Sequence, residues 1–176
     1  MYSHAAPHAV AQGGSTEFYR WLDHNAFVEF HPVSYTNNPI VISKQNKMVS
    51  INATMSVDLS GQACSESIGP MQYSGVGGQM DFNFGAGLCP GGKAFLVLRS
   101  TVKKKDGSVH STIVPRLPFG AFVSTGRNDV DYVVTEYGLA HLRGKSMKQR
   151  AEALISIAHP DFRAELKKEA QSLLFI

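Results

Sequence analysis

Five apolar residues in succession, Ala94-Phe95-Leu96-Val97-Leu98, restrict this chain more than any other stretch. A β-strand turns alternate side chains to opposite faces, so an unbroken apolar run predicts a strand covered on both sides. Tyr132-Val133-Val134-Thr135 is a second such run. Shorter strand candidates lie at 28–32, 40–43, 48–53, 55–59, 113–115 and 121–124. The polar Gln45-Asn46-Lys47 between two of them predicts a hairpin joining 40–43 to 48–53. Residues 35–39 read as a polar connection, and 64–68 as a single helical turn before Gly69-Pro70.

Helices are signalled by caps and by apolar spacing. Ser15 followed by Glu17, then Phe18, Trp21 and Leu22, predicts a helix to about Asn25. Ser146 caps a stripe of Met147, Ala151, Leu154, Ile155 and Ala158. Pro160, tolerated in a first turn, and Asp161 open a last helix carrying Phe162, Leu166, Ala170, Leu173 and Leu174. Strands interleaved with helices predict an α/β fold with a mostly parallel sheet flanked by helices, and a site at the carboxyl ends of its strands.

With 176 residues, 43% hydrophobic and 18% charged, the chain has the material for one compact domain over 15–176. Residues 1–14 hold neither Lys nor Arg and no apolar core of a signal peptide, and read as a disordered or expression-derived lead-in. The formal charge of +3, with no basic face interleaved with aromatics, argues against nucleic acid as a partner. No apolar stretch is long enough to span a bilayer. Cys64 and Cys89 stand far apart in no metal-ligand spacing, which predicts neither zinc nor a disulfide and fits a reducing, cytoplasmic setting, or a mitochondrial one in a eukaryote. The histidines are scattered without metal spacing and read as structural.

Chemistry concentrates in Tyr73-Ser74-Gly75-Val76-Gly77-Gly78-Gln79-Met80-Asp81-Phe82. Its glycines allow unusual backbone angles and close approach of a ligand, and a helix over 80–88 would aim free N–H groups at an anion or oxyanion. An ordinary tight turn is the competing reading. No Lys-Ser/Thr follows Gly78, which excludes a Walker loop, and Met80 stands where the dinucleotide fingerprint needs a third glycine. Lys103-Lys104-Lys105 beside Asp106-Gly107 reads as a hairpin tip, either a solvated turn or a phosphate clamp. Glu66 and Glu136 sit among small or apolar neighbours; each could be a nucleophile or base, or a structural acceptor paired with Arg127 or Arg143.

Taken in order, several segments resemble the C-terminal domain of the acetyl-CoA hydrolase/transferase family, which includes 4-hydroxybutyrate and butyrate–acetate CoA-transferases. They are Val57-Asp58-Leu59-Ser60-Gly61-Gln62, Ser65-Glu66-Ser67-Ile68-Gly69, the loop from Ser74 to Phe82, Gly91-Gly92-Lys93, Arg127-Asn128-Asp129-Val130, Val133-Val134-Thr135-Glu136-Tyr137-Gly138, Leu142-Arg143-Gly144-Lys145 and Ile157-Ala158-His159-Pro160-Asp161-Phe162-Arg163. The resemblance covers about 15–166 and implies an open CoA-transferase fold of the NagB/RpiA-like kind. It implies a ping-pong reaction through an acyl-glutamyl anhydride and a glutamyl-CoA thioester, with acyl-CoA and a small carboxylate as substrates and no metal. It further implies Gly75 as oxyanion donor, Gly77 and Gly78 against coenzyme A, Met55 in the CoA lining, and Lys103 or Lys104 as a basic CoA contact. In the family the nucleophilic glutamate lies upstream of the matched region, so that role does not pass to Glu66. A missing N-terminal domain and a homo-oligomeric full-length enzyme are the partners implied. Two departures are local: Ser111-Thr112 where the family has serine–arginine, and Ser124-Thr125-Gly126 in place of a threonine-rich run. A stand-alone CoA- or nucleotide-binding module and a truncated gene product are the alternatives.

Overall fold

The structure, a computed structural model, describes residues 8–9 and 14–175; most of the 1–14 lead-in lies outside the described residues. β1 (His8–Ala9) pairs in parallel with β2 (Glu29–Phe30) on either side of α1 (Thr16–Leu22), where the Ser15 hydroxyl accepts the Phe18 N–H. Two short helices follow, α2 (Val33–Thr36) and α3 (Pro39–Ser43). They replace the predicted polar connection and the first strand of the predicted hairpin. The β-branched residues of Pro39-Ile40-Val41-Ile42-Ser43 suggested a strand, but Pro39 sits in the first turn and the Asn38 side chain accepts the Ile40 N–H at 2.9 Å. That cap, together with burial of Ile42, overrides the weak local preference.

β3 (Val49–Ala53), β4 (Ser56–Asp58), β5 (Ala63–Cys64), β6 (Ser67–Ile68) and β7 (Met71–Gln72) lead to α4 (Gln79–Leu88). The stretch read as a helical turn at 64–68 is therefore extended: β5 pairs with β4, and β6 with β7, so its backbone groups find partners across strands. Then come β8 (Lys93–Val97), the hairpin β9 (Thr101–Lys103) and β10 (Val109–Ser111), β11 (Ile113–Val114), β12 (Tyr132–Thr135), β13 (Gly138–His141), α5 (Met147–Ile157) and α6 (Pro160–Ser172). Residues 121–124, predicted as a strand, form no named strand.

The principal sheet has the order β13-β12-β8-β3. β3, β8 and β12 run parallel and β13 returns antiparallel. A smaller sheet, β11-β4-β5, stands beside it. The core joins both: Val57, Leu59, Leu96, Ile113, Val133 and Leu154 are fully buried. Helix α4 packs on β3 and β8, and α5 on β12 and β13. Both cover the face that carries Ala94, Leu96, Val133 and Ala140, because the opposite face stays open: Ile51 is 69% exposed and Val97 37%. The expectation that the 94–98 run is covered on both faces is thus corrected. Phe95 is only half-buried.

Candidate functional site

Two cavities open near the carboxyl ends of β3 and β8. The larger, of about 1000 Å³, is lined by Thr54, Met55, Leu98, Arg99, Lys103 and Lys104 among others. The smaller, of about 230 Å³, is lined by Asn52, Ala53, Glu66, Gly75, Gly77 and Gly78 among others. The structure therefore brings Met55 together with the lysines and gathers the glycines apart from them. The two groups share a wall. Ser65 on the small cavity donates through Oγ to Thr54 Oγ1 on the large one at 2.9 Å, and Thr54 in turn donates to the Cys64 carbonyl at 3.0 Å.

The glycine loop follows β7 and ends as the cap of α4, with Gly78 at the N-cap position. Its anchors are the Glu66 carbonyl, which accepts the Tyr73 and Ser74 N–H groups at 2.8 and 3.2 Å, and Gln79, which donates to Thr125 Oγ1 at 2.9 Å. Among the described residues the N–H groups of Gly75, Val76, Gly77 and Gly78 meet no acceptor within the chain. Free donors at a helix start favour negative charge. Of the two uses the sequence suggests for these glycines, unusual backbone angles are not needed here, since none of the three has a positive φ. What they provide is bare backbone: a Cβ at Gly75 or Gly77 would meet nothing within 4 Å. At Gly78, by contrast, a Cβ would meet the Asn37 amide.

The lysine run is a hairpin tip, as the sequence suggested. Gly107 takes φ +88° in the turn, and the Lys104 N–H donates to the Ser108 carbonyl at 2.8 Å. Asp106 accepts from the Ser108 hydroxyl and N–H, and those bonds hold its carboxyl below the ordinary aspartate range. Among the described residues, Lys103, Lys104 and Lys105 form no ion pair and all three border the large cavity.

The two carboxylates separate clearly. Glu66 borders the small cavity. Glu136, in the β12–β13 turn, accepts from the Ser100 hydroxyl at 2.6 Å and the Ser100 N–H at 2.9 Å. Those two bonds, hydroxyl first, lower its pKa below the usual glutamate value. It is paired with neither suggested arginine: Arg143 donates to the Asp129 carbonyl, and the Arg127 carbonyl accepts from Arg150. Sequence reasoning missed Ser100; the apolar run just before it gave no sign that its hydroxyl would close on a turn 36 residues away.

No group of three His, Cys, Asp or Glu residues among the described ones could hold a metal ion. Cys64 and Cys89 are buried free thiols that donate to the Ser67 and Gln45 carbonyls. His159 caps α6 and His141 pairs with Asp131 at 3.2 Å, so both are structural. No described helix is long and apolar enough to cross a membrane.

Residues 14–170 match the family model of the acetyl-CoA hydrolase/transferase C-terminal domain. The chain belongs to this acetyl-CoA hydrolase/transferase family. It is 56% identical over 156 residues to the 4-hydroxybutyrate coenzyme A transferase of Clostridium kluyveri, a match covering 89% of this chain and 36% of that protein. It is 53% identical over 160 residues to a succinyl-CoA:cyclohexane-1-carboxylate CoA transferase of Geobacter metallireducens, again covering 91% of this chain and 36% of the relative. Among solved structures, RipA from Yersinia pestis superposes with a TM-score of 0.84 at 40% identity over 93% of this chain and 36% of that one. A 4-hydroxybutyrate CoA-transferase from Porphyromonas gingivalis gives 0.72 at 46% identity, over 91% of this chain and 35% of that one. The α/β fold expected from the sequence is thus that of family CoA-transferases, and the chain spans about 36% of the length of the relatives it matches, corresponding to their C-terminal part.

Proposed function

We propose that this chain supplies the CoA-binding and oxyanion-stabilising part of an acyl-CoA:carboxylate CoA-transferase, or of a related acyl-CoA hydrolase. The observation that carries the reading is the row of N–H groups from Gly75 to Gly78, just before α4 and without a partner among the described residues, lining a cavity beside a large lysine-edged cleft. Coenzyme A suits that pair of spaces chemically. Its phosphates meet Lys103 and Lys104, its apolar and amide arm runs past Met55, and its thioester reaches the glycine loop across the hydroxyl wall.

Attack on a thioester carbonyl moves an electron pair onto oxygen, and backbone donors aimed at that oxygen lower such barriers by about 3 kcal/mol each. In this reading Gly75 is that donor, with Gly77 and Gly78 against the pantetheine end. The attacking carboxylate belongs to the upstream part of the protein, as do the small-carboxylate partner's remaining contacts and the homo-oligomer that the family resemblance implies. The protein works in a reducing, cytoplasmic compartment, where its two thiols stay free.

Calorimetric titration of this chain with coenzyme A tests the reading. Binding that weakens about thirtyfold in the Lys103→Ala/Lys104→Ala double variant is expected, in line with about 1 kcal/mol per lost phosphate contact. No heat of binding, or affinity indifferent to both lysines, overturns it. A non-catalytic CoA-binding module shares the cleft and would show the same titration; transfer activity of the chain joined to an upstream segment separates the two.

A further inference from the structure

Arg99 follows β8 on the wall of the larger cavity, and among the described residues its side chain has neither an ion pair nor a hydrogen bond. Its backbone, by contrast, is fixed. The Arg99 carbonyl accepts the Thr112 hydroxyl at 2.5 Å, and the Ser100 carbonyl accepts the Thr112 N–H at 3.0 Å. Ser100 is itself held by Glu136 through its N–H and its hydroxyl. A cation on a backbone so anchored has only its own side chain to order when it takes an anion.

The positive charges of this cavity stand in two places. Lys103, Lys104 and Lys105 lie at and beyond the far end of β9, in a hairpin whose first pair is Thr101 with Ser111. Arg99 lies below that base, four residues and so at most about 14 Å from Lys103. The register that pairs Ala53 with Val97 carries Met55 and Arg99, each two residues further on, to the same end of the sheet. Asp106 is the one acidic residue among the described residues of the lining, and Ser108 occupies its carboxylate. Along the cavity the order is therefore lysines, Arg99, Met55 and then the hydroxyl wall of Thr54 and Ser65.

We infer that Arg99 binds the diphosphate of coenzyme A, while the hairpin lysines take its 3′-phosphate. The order of groups decides the assignment. In CoA the diphosphate stands between the 3′-phosphorylated adenosine and the pantetheine arm, as Arg99 stands between the lysines and Met55. The chemistry agrees with the order. A planar guanidinium can meet the oxygens of a diphosphate with two parallel N–H bonds, whereas lysine ammonium groups serve a terminal phosphate as point charges. The inference rests on the functional reading of the cleft as a CoA site, and its test separates the two.

The test is calorimetric titration of this chain and its variants with CoA and with dephospho-CoA, which lacks the 3′-phosphate, at one fixed ionic strength. Arg99→Met is expected to weaken both ligands alike, by about tenfold, and Arg99→Glu by about a hundredfold. The Lys103→Ala/Lys104→Ala variant is expected to weaken CoA and to leave dephospho-CoA within about threefold of the parent. An Arg99→Met protein that binds both ligands as the parent does overturns the inference. So does one that loses affinity for CoA alone, because Arg99 then meets the 3′-phosphate. Equal binding by the two Arg99 variants also overturns it, since charge at that position is then not sensed, and so does an equal loss of both ligands in the lysine variant. In each of these cases a parent that binds CoA leaves the functional reading standing; a parent that binds neither ligand removes both. Arg99 is exposed, and thermal melts of its variants distinguish a lost contact from a lost fold.

Discussion

The bond between Ser100 and Glu136, at 2.6 Å, ties the β12–β13 turn to the segment after β8. Ser100 is fully buried and spends both its hydroxyl and its N–H on the carboxylate. Both bonds favour the charged form, so the folded pKa lies below the unfolded one. The resulting stabilisation is present above the unfolded pKa and is lost as pH falls through the folded value. In Ser100→Ala the side-chain carboxyl carbon of Glu136, followed by NMR against pH, is expected to titrate at higher pH than in the parent; an unmoved midpoint would refute the assignment. The glycines give a second residue-scale contrast. A Cβ at Gly75 meets nothing within 4 Å, whereas one at Gly78 would collide with the Asn37 amide, which is bonded to Asp81 at 3.3 Å. Gly75→Ala is therefore expected to keep the melting temperature and weaken CoA binding. Gly78→Ala should lose about 1 kcal/mol of stability through the forced shift of Asn37. Melts and titrations of the pair decide it, and a Gly75→Ala protein that binds CoA normally shows that CoA does not fill the space a Cβ would take at Gly75.

Elements are stabilised here by caps as much as by their apolar stripes, which is why most helices could be read from the sequence. Ser146 forms a reciprocal capping box with Gln149: its hydroxyl accepts the Gln149 N–H, and the Gln149 amide oxygen accepts the Ser146 N–H. Ser146→Ala removes one side of that exchange and should cost about 1 kcal/mol in chemical denaturation; an unchanged midpoint would show that packing alone fixes the start of α5. The same logic located α1 and α6 at Ser15 and Pro160. Asn38 and Pro39 open α3 in the same way, but the strand propensity of Ile40-Val41-Ile42 masks them, and the contact that adds to the cap is remote: a Cβ at Gly85 would lie 2.6 Å from the Ile42 side chain, so α3 and α4 touch through a glycine. No local pattern announces such a contact. β5 and β6 were hidden for a related reason, because two-residue strands are defined by their partners rather than by any period of their own. The glycine loop and the lysine hairpin were legible in sequence because glycine and charge punctuate it. The hydroxyl wall of Thr54, Ser65 and Ser124 between the cavities was not, since small polar residues look alike in loops and in sites.

At the scale of the molecule, one buried cation ties together segments far apart in sequence. Arg150 of α5 is 8% exposed and faces three backbone carbonyls: it donates to Arg127 at 2.7 Å, to Ser60 at 3.2 Å and to Lys145 at 3.2 Å. Burial lowers its pKa, yet a guanidinium remains charged at neutral pH, so its charge is met by carbonyl dipoles rather than by a carboxylate. Gly61 makes room for it, at φ +93° and with a Cβ position 2.8 Å from Arg150 Nη1. The β4–β5 turn, the loop before β12 and the start of α5 are thereby held in one register. Arg150→Met keeps the buried stem and removes the fork, leaving three carbonyls without this donor, and should cost about 3 kcal/mol in urea denaturation. Arg150→Lys is expected to recover less than half of that loss, because a single ammonium cannot reach along the three directions a planar guanidinium serves. Full recovery by lysine would mean that charge alone matters at this position, and that the register of the three segments is set elsewhere in the core.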